Sequence, residues 1–406
     1  MTQKINLNYL ISAFNSLGAR AQKFFYKTKR ISFMKVVFAI DSFKGSISSM
    51  EAAKAAERGA KKALGDFKSV KIAIADGGEG TLEALAQNAG ARLIHCDALD
   101  PLMRPIKAEF AVVCGALAIV ELAKASGITL LKKSELNPLK TSTYGTGLQI
   151  KEAIRRGVRK FVLAIGSSAT NDAGTGIMAA LGFEFLDKSG KKIEFPRGES
   201  LEKISEIRVE NAMPELRDCE FTILCDVKNP FVGGSGAARV FAPQKGASME
   251  DVERLEKGMQ NFAKVLKETF GRDVSKAEGA GAAGGVGGAF LAFFNAKLKS
   301  GIDGILDAVN FDKLAEGADF IVTGEGKLDL QSAMGKAPCG VAKRAKAARV
   351  IAICGSLENA KELYKCGVSA MFSICPKPMD LSEAIKPENT AKNIELLCEN
   401  IFRLLK

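Results

Sequence analysis

The sequence predicts an α/β protein of two domains: a parallel-sheet domain formed by both ends of the chain, and an inserted α/β domain with a mixed sheet. Three observations predict it. Short apolar runs stop abruptly at Gly, Ser or Asp, as buried parallel strands do. They are VVFAI at 36–40, KIAIA at 71–75, FVLAI at 161–165, FTILC at 221–225 and FIV at 320–322. Helical sequence follows several of them, in the β-loop-α order of crossover connections. That order marks both ends of the chain and is missing from its middle.

VVFAI leads through DSFKGS to a helix, where Ser48 and Glu51 form an S-x-x-E capping box and Ala-rich sequence continues to about Leu64. KIAIA follows, then ADGGEGT and a helix ending near Gly90. After Asp100-Pro101 the character changes. IKAEFAVVC and ALAIVELA, separated by Gly115-Ala116, predict a hairpin. FVLAI, FEFLD with a turn at Lys188-Ser189-Gly190, and FTILC complete the middle. Near Gly301 the first pattern resumes: DFIVTGEG, a helix from about Lys336, RVIAICGS, VSAMFSIC, and an amphipathic helix from about Glu383. The expected domains are therefore 34–95 with 296–406, and 96–295 inserted. Residues 1–33 hold Lys4, Arg20, Lys23, Lys27, Lys29 and Arg30 and no acid. They are expected to be a disordered tail, or an extension upstream of the true start at Met34.

Composition narrows the function. The formal net charge is +12, partly local to 1–33, with neither a clustered basic face nor a nucleic-acid module, so no nucleic-acid partner is expected. No apolar stretch reaches the roughly 20 residues that span a bilayer, so no membrane role is expected. The 9 cysteines are odd in number and lack CxxC spacing. They read as reduced thiols of a cytoplasmic protein. His95 is the only histidine. It is expected to be structural, and a His/Cys zinc site is excluded.

The chemistry sits where the apolar runs end, since ligands of open α/β sheets bind beyond the carboxyl ends of strands. In ADGGEGT (75–81), Asp76 and Glu79 could hold hydrated Mg²⁺ or simply favour a helix start. GSSATND (166–172) offers Ser167, Ser168, Thr170 and Asn171 to a phosphate and Asp172 as a base or metal ligand; a plain helix cap is the alternative. CDVKNP (225–230) supplies Asp226 and Asn229, and the following segment supplies Arg239 and Lys245 as cations for anionic groups. Lys44 in DSFKGS could reach a transferring phosphate, and TGEGKLD (323–329) adds Glu325 and Asp329. No Walker A motif occurs. GxGxxG occurs once, at Gly279, Gly281 and Gly284, without a preceding strand, which disfavours a dinucleotide-dependent oxidoreductase. Gly281, Gly284 and Gly285 then either cradle a phosphate at a helix N-terminus or allow close packing.

These words, with TSTYGTG (141–147), CDVKNPFVGGSGAARVFAPQKGA (225–247) and GAGAAGGVGGAF (279–290), carry a resemblance. From about Met34 to near the C-terminus the chain resembles the class I glycerate kinases of bacteria, the glycerate 2-kinases. It departs in having Ile40 where Pro is frequent, Phe43 for Tyr and Tyr144 for Arg. The resemblance implies a Rossmann-like domain from both chain ends, an inserted domain, and a cleft between them. It also implies phosphorylation of D-glycerate to 2-phosphoglycerate by ATP and Mg²⁺. A non-catalytic two-lobed binding protein for a small hydroxy acid is the alternative. The expected roles are Asp172, Lys44 and Asp226 in catalysis and Asp76, Glu79 and Glu325 at the metal. Ser167, Ser168, Thr170, Asn171, Asn229, Lys245, Gly281, Gly284 and Gly285 are expected on substrate or phosphate. The oligomeric state is not predicted.

Overall fold

A computed structural model of the chain describes residues 34–75, 77, 80–87 and 91–406. The expectation for 1–33 lies outside the described residues. In chain order the strands are β1 (Lys35–Ile40), β2 (Lys68–Ala73), β3 (Ala91–Leu99), β4 (Pro105–Val113), β5 (Leu117–Glu121), β6 (Lys160–Ala164) and β7 (Glu184–Asp187). There follow β8 (Ile204–Arg208), β9 (Glu220–Leu224), β10 (Lys297–Lys299), β11 (Phe320–Leu328), β12 (Arg349–Leu357) and β13 (Val368–Ser373). The helices that matter below are α1 (Ser49–Leu64), α2 (Thr81–Ala86), α3 (Tyr144–Arg155), α4 (Thr175–Ala180), α5 (Met249–Phe270), α6 (Ala282–Phe294), α7 (Gly301–Ala308) and α8 (Pro387–Leu405).

The chain divides into two compact units. The first comprises residues up to Ile72, Asp312–Ala333 and Val341–Lys406; the second comprises Ala73–Phe311 and Met334–Gly340. The expected seams at 95/96 and 295/296 are not where it divides. Strand β3 crosses the first seam and pairs along its whole length with β4. Strand β10, just past the second, runs parallel to β9. Backbone pairing thus carries both segments into the second unit.

The first unit holds a sheet of order β13-β12-β11-β1-β2. β1, β11, β12 and β13 pair in parallel. Val36 to Ile40 are fully buried, as a strand covered on both faces must be. The Ser48–Glu51 capping box forms as the sequence predicts: Ser48 N–H donates to Glu51 Oε2 at 2.8 Å, and Glu51 N–H to Ser48 Oγ at 3.4 Å. Helix α1 lies against α8 at Gly59, where a Cβ would stand 2.1 Å from the Glu395 carbonyl oxygen. Arg58 and Lys62 then reach Glu395 at 2.7 and 2.6 Å.

The second unit holds a mixed sheet of order β10-β9-β6-β5-β4-β3. Its first four strands are parallel, and β4 and β3 are antiparallel. The predicted hairpin is β4–β5, turning at Cys114 and Gly115 with φ 48° and 70°. Strands β7 and β8 form a separate antiparallel pair. Phe161 stacks on Phe221 with centroids 4.9 Å apart, and Phe290 and Phe294 of α6 close the same core. No helix among the described residues is long and apolar enough to cross a membrane.

One expectation about cysteines is corrected. Seven are free, but Cys339 and Cys366 are disulfide-bonded. Neither has a near neighbour in sequence that would announce a bond, and only the fold gives each a partner.

Gly59→Ala tests the α1–α8 contact. Helix propensity alone would favour Ala by up to about 1 kcal/mol. The Glu395 carbonyl is backbone and cannot swing away, so overpacking, typically costing about 1–3 kcal/mol, should win. Urea unfolding of Gly59→Ala should show a lower midpoint than the wild-type chain.

Candidate active site

In the first unit, β1 and β11 are parallel neighbours, with Ile40 opposite Gly324. Asp41 N–H continues the ladder to the Gly324 carbonyl at 2.8 Å. DSFKGS then closes a tight turn, with Ser46 N–H donating to the Phe43 carbonyl at 2.8 Å and Gly45 at φ 77°. Lys44 is exposed on this turn. Glu325 is half-buried within β11, opposite Cys354 of β12. A Cβ on Gly326 would come 3.8 Å from Lys44 N. Lys44 and Glu325 therefore lie toward the carboxyl end of the β1–β11 pair, although TGEGKL is strand rather than loop.

In the second unit, Asp76 and Glu79 lie outside the described residues. Gly77 of the same word is at φ 87°, and a Cβ there would meet Gly301 Cα at 2.7 Å. Asp226, exposed beyond β9, accepts from Gly301 N–H at 2.8 Å at the start of α7. Gly77, the end of β9 and the start of α7 thus meet. Asn229 is spent locally: its Nδ2 donates to the Ser235 carbonyl at 2.9 Å.

GSSATND is mostly interior. Ser167 is exposed, at φ 56°, while Ser168, Thr170, Asn171 and Asp172 are buried. Asp172 has no exposed surface. Its Oδ2 accepts from Thr143 N–H at 2.7 Å, Thr143 Oγ1 at 2.8 Å and Gly176 N–H at 3.2 Å, and its Oδ1 from Gly174 N–H at 3.1 Å. Burial pushes its pKa up, and these four donors pull it back only in part. The carboxylate knits the start of α3 to the start of α4. A base must reach a substrate proton, and Asp172 in this arrangement reaches only protein. Lys245 is 2% exposed; its Nζ donates to Ser168 Oγ at 2.7 Å and to the Thr170 carbonyl at 2.6 Å. It does not offer its charge to solvent. Arg239, by contrast, makes a bidentate surface pair with Glu253.

The glycines of α6 resolve toward packing. A Cβ would stand 2.3 Å from the Pro230 carbonyl at Gly281, 2.2 Å from the Thr170 carbonyl at Gly284 and 2.9 Å from Ala173 Cα at Gly285. The Gly281 and Gly285 N–H groups already donate to Asn229 and Gly281 carbonyls. Close packing of neighbouring segments at these Cα atoms is enough to require glycine.

A cavity of about 400 Å³ opens at the carboxyl ends of β5 and β6. Ser167, Thr129, Lys124, Glu109, Glu121 and His95 are among its lining residues. Lys124 Nζ sits 3.0 Å from Glu109. Burial pulls its pKa down, but Glu109, Glu121 and Glu83 outweigh that and hold it above the usual lysine value. Glu121 Oε2 accepts from Leu82 N–H of α2 at 3.3 Å. His95 is an exposed cavity-rim residue, 3.8 Å from Glu109, and not part of the core. Sequence reasoning passed over Glu121, Lys124, Thr129 and Thr143. Glu121 carried the usable signal, a charge ending the apolar run ALAIVE.

The model of the glycerate kinase family matches residues 36–406. The chain belongs to the glycerate kinase family. It is 40% identical to a glycerate kinase of Bacillus subtilis over 92% of this chain and 98% of that protein. It is 39% identical to the glycerate 2-kinase of Escherichia coli over 87% of this chain and 93% of that one. A crystal structure of a candidate glycerate kinase 2 from Salmonella typhimurium LT2 superposes with a TM-score of 0.84 at 36% identity, covering 92% and 98% of the two chains. The protein is thus an enzyme, and the alternative of a non-catalytic binding protein gives way.

In this glycerate kinase family member, Lys245 makes stability depend on pH. Burial lowers its pKa to about 7, with Asp172 opposing. Below that value both folded and unfolded chains hold the proton, and the fold bears the full cost of a buried charge. Between about 7 and the unfolded value of 10.5 only the unfolded chain holds it, so stability rises with pH, by at most about 1.4 kcal/mol per unit. Denaturation of wild type and Lys245→Met between pH 6.5 and 9.5 should show the difference moving in favour of wild type as pH rises.

Proposed function

We propose that the enzyme transfers a phosphoryl group from ATP to D-glycerate, giving 2-phosphoglycerate and ADP, with Mg²⁺ required. The observation that supports this most is the family match running from β1 to the C-terminus, with glycerate kinases and a glycerate 2-kinase among its full-length relatives. A phosphoryl acceptor needs a base at its hydroxyl, and the phosphates need cations and N–H groups. Asp226 is more accessible than Asp172, exposed where Asp172 is enclosed, and is the base tested below, although it is not among the residues lining the cavity assigned to the acceptor. Lys44 and Glu325, toward the carboxyl end of the β1–β11 pair in the first unit, suit the nucleotide's phosphates and their metal.

The donor chemistry fits magnesium, which takes oxygen ligands and keeps several waters. Among the described residues no three metal-type side chains cluster. Glu325 is the described carboxylate of the first unit that would help hold the ion, while Asp76 and Glu79 lie outside the described residues. When bound, the ion neutralises charge on the phosphate oxygens.

The acceptor is assigned to the cavity beside Ser167. A hydroxy acid needs acceptors for its hydroxyls and a cation for its carboxylate. Glu109 and Glu121 supply the first, Lys124 the second, and Ser167 and Thr129 can do either.

The test is ADP release by the purified chain over a panel of hydroxy acids, with the phosphate position read by ³¹P NMR. D-glycerate should be turned over only with a divalent metal, and the product should carry phosphate on C2. No ADP release with D-glycerate would sink the reading. Asp226→Asn should lower kcat by about 10²–10⁴-fold, the usual worth of a general base. Near-normal turnover in that variant would move the base elsewhere.

A further inference from the structure

We propose that Lys245 is a positioning residue of the acceptor site: from inside the second unit it holds the 166–172 loop so that Ser167 lines the cavity. This rests on the acceptor reading above. The loop needs holding. Ser167 and Ala173, at φ 56° and 53°, are non-glycine residues in the left-handed region. Such strain, about 1–3 kcal/mol each, persists only where the surroundings over-determine it. Backbone clamps exist on one side: Ile128 N–H donates to the Ser167 carbonyl and Ala169 N–H to the Ser126 carbonyl, both at 2.9 Å. Thr141 Oγ1 adds a bond to the Ala169 carbonyl at 2.9 Å.

Of the loop's interior side chains, Asp172 is tied to Thr143, Gly174 and Gly176, but Thr170 and Asn171 add little. Thr170 Oγ1 and both polar atoms of the Asn171 amide are buried with no hydrogen-bond partner among the described residues. The grip on Ser168 and Thr170 comes from Lys245, 77 and 75 residues away in sequence. Lys245 is itself fixed from behind. Gly246 turns at φ 92°, and a Cβ there would stand 2.4 Å from the Leu136 carbonyl oxygen. Lys245 has two acceptors, and a neutral amine has two N–H donors. The grip therefore survives loss of the proton, whereas a lysine binding substrate by charge would fail on losing it. Asp172 is the charged group that acts on it.

The experiment compares full-length wild type, Lys245→Met, Ser168→Ala and the double variant. Lys245→Met should raise KM for glycerate at least tenfold, leave KM for ATP within twofold, and speed amide exchange across 166–172. The double variant should be no worse than Lys245→Met, because both changes release one loop. Wild-type kcat/KM for glycerate should show no fall with a midpoint near pH 7 that Lys245→Met lacks. A glycerate KM within twofold of wild type, additive effects of the two substitutions, or such a pH midpoint would each overturn the proposal. If Lys245→Met does not fold, Lys245→Gln and Ser168→Ala carry the same comparison. A wild type inactive on every hydroxy acid refutes the glycerate reading alone. Amide exchange still judges the tether, and unchanged exchange in the lysine variants refutes it.

Discussion

Contact between backbones with nothing but hydrogen at the Cα governs the second unit. Gly284 meets the Thr170 carbonyl, Gly281 the Pro230 carbonyl, and Gly288 the Phe231 ring. These contacts bring the α6 entry, the exit of β9 and the 166–172 loop within one van der Waals layer. Ala173 N–H seals the approach with a bond to the Gly284 carbonyl at 2.9 Å. A single methyl at any of these positions would push apart segments that must stay together for Ser167 and Asp226 to keep their places. The glycine richness of GAGAAGGVGG is therefore a statement about distance between chains, and a phosphate is not required to explain it.

Much of the fold was legible because its signals are local. An apolar run of five residues ending at Gly or Asp has few other meanings, and VVFAI, FVLAI and FTILC all became strands paired in parallel with their neighbours. The Ser48–Glu51 box is complete within four residues. The seams between units were harder, since they depend on which strand takes the next hydrogen bond. Nothing in ARLIHC says that it will pair with IKAEFAVV rather than with β2.

The site was legible by position and less so by role. Lys44, Ser167 and Asp226 do stand just beyond strand ends, while Glu325 lies within β11. Ser168, Thr170, Asn171, Asp172 and Lys245 stand near them in sequence and face inward. A polar side chain reads the same whether it meets substrate or the next loop. Only burial separates Asp226 from Asp172, and burial is a property of the whole fold. The partner of Asp172, Thr143, could have been suspected only from the density of hydroxyls in TSTYGTG.

The first unit's sheet has a consequence in time. β1 is nearly all buried, and its neighbour β11 begins roughly 280 residues later in the chain. At synthesis rates of ~5–20 residues per second, β1 leaves the ribosome on the order of tens of seconds before β11 exists. During that interval the second unit, nearly continuous in sequence, can complete its own core. VVFAI meanwhile has β2 as its one available neighbour and keeps its β11 edge bare, which is the condition under which apolar strands pair with other chains. Placing the inserted unit between the two halves of a parallel sheet thus exposes the nascent chain at its N-terminal strand.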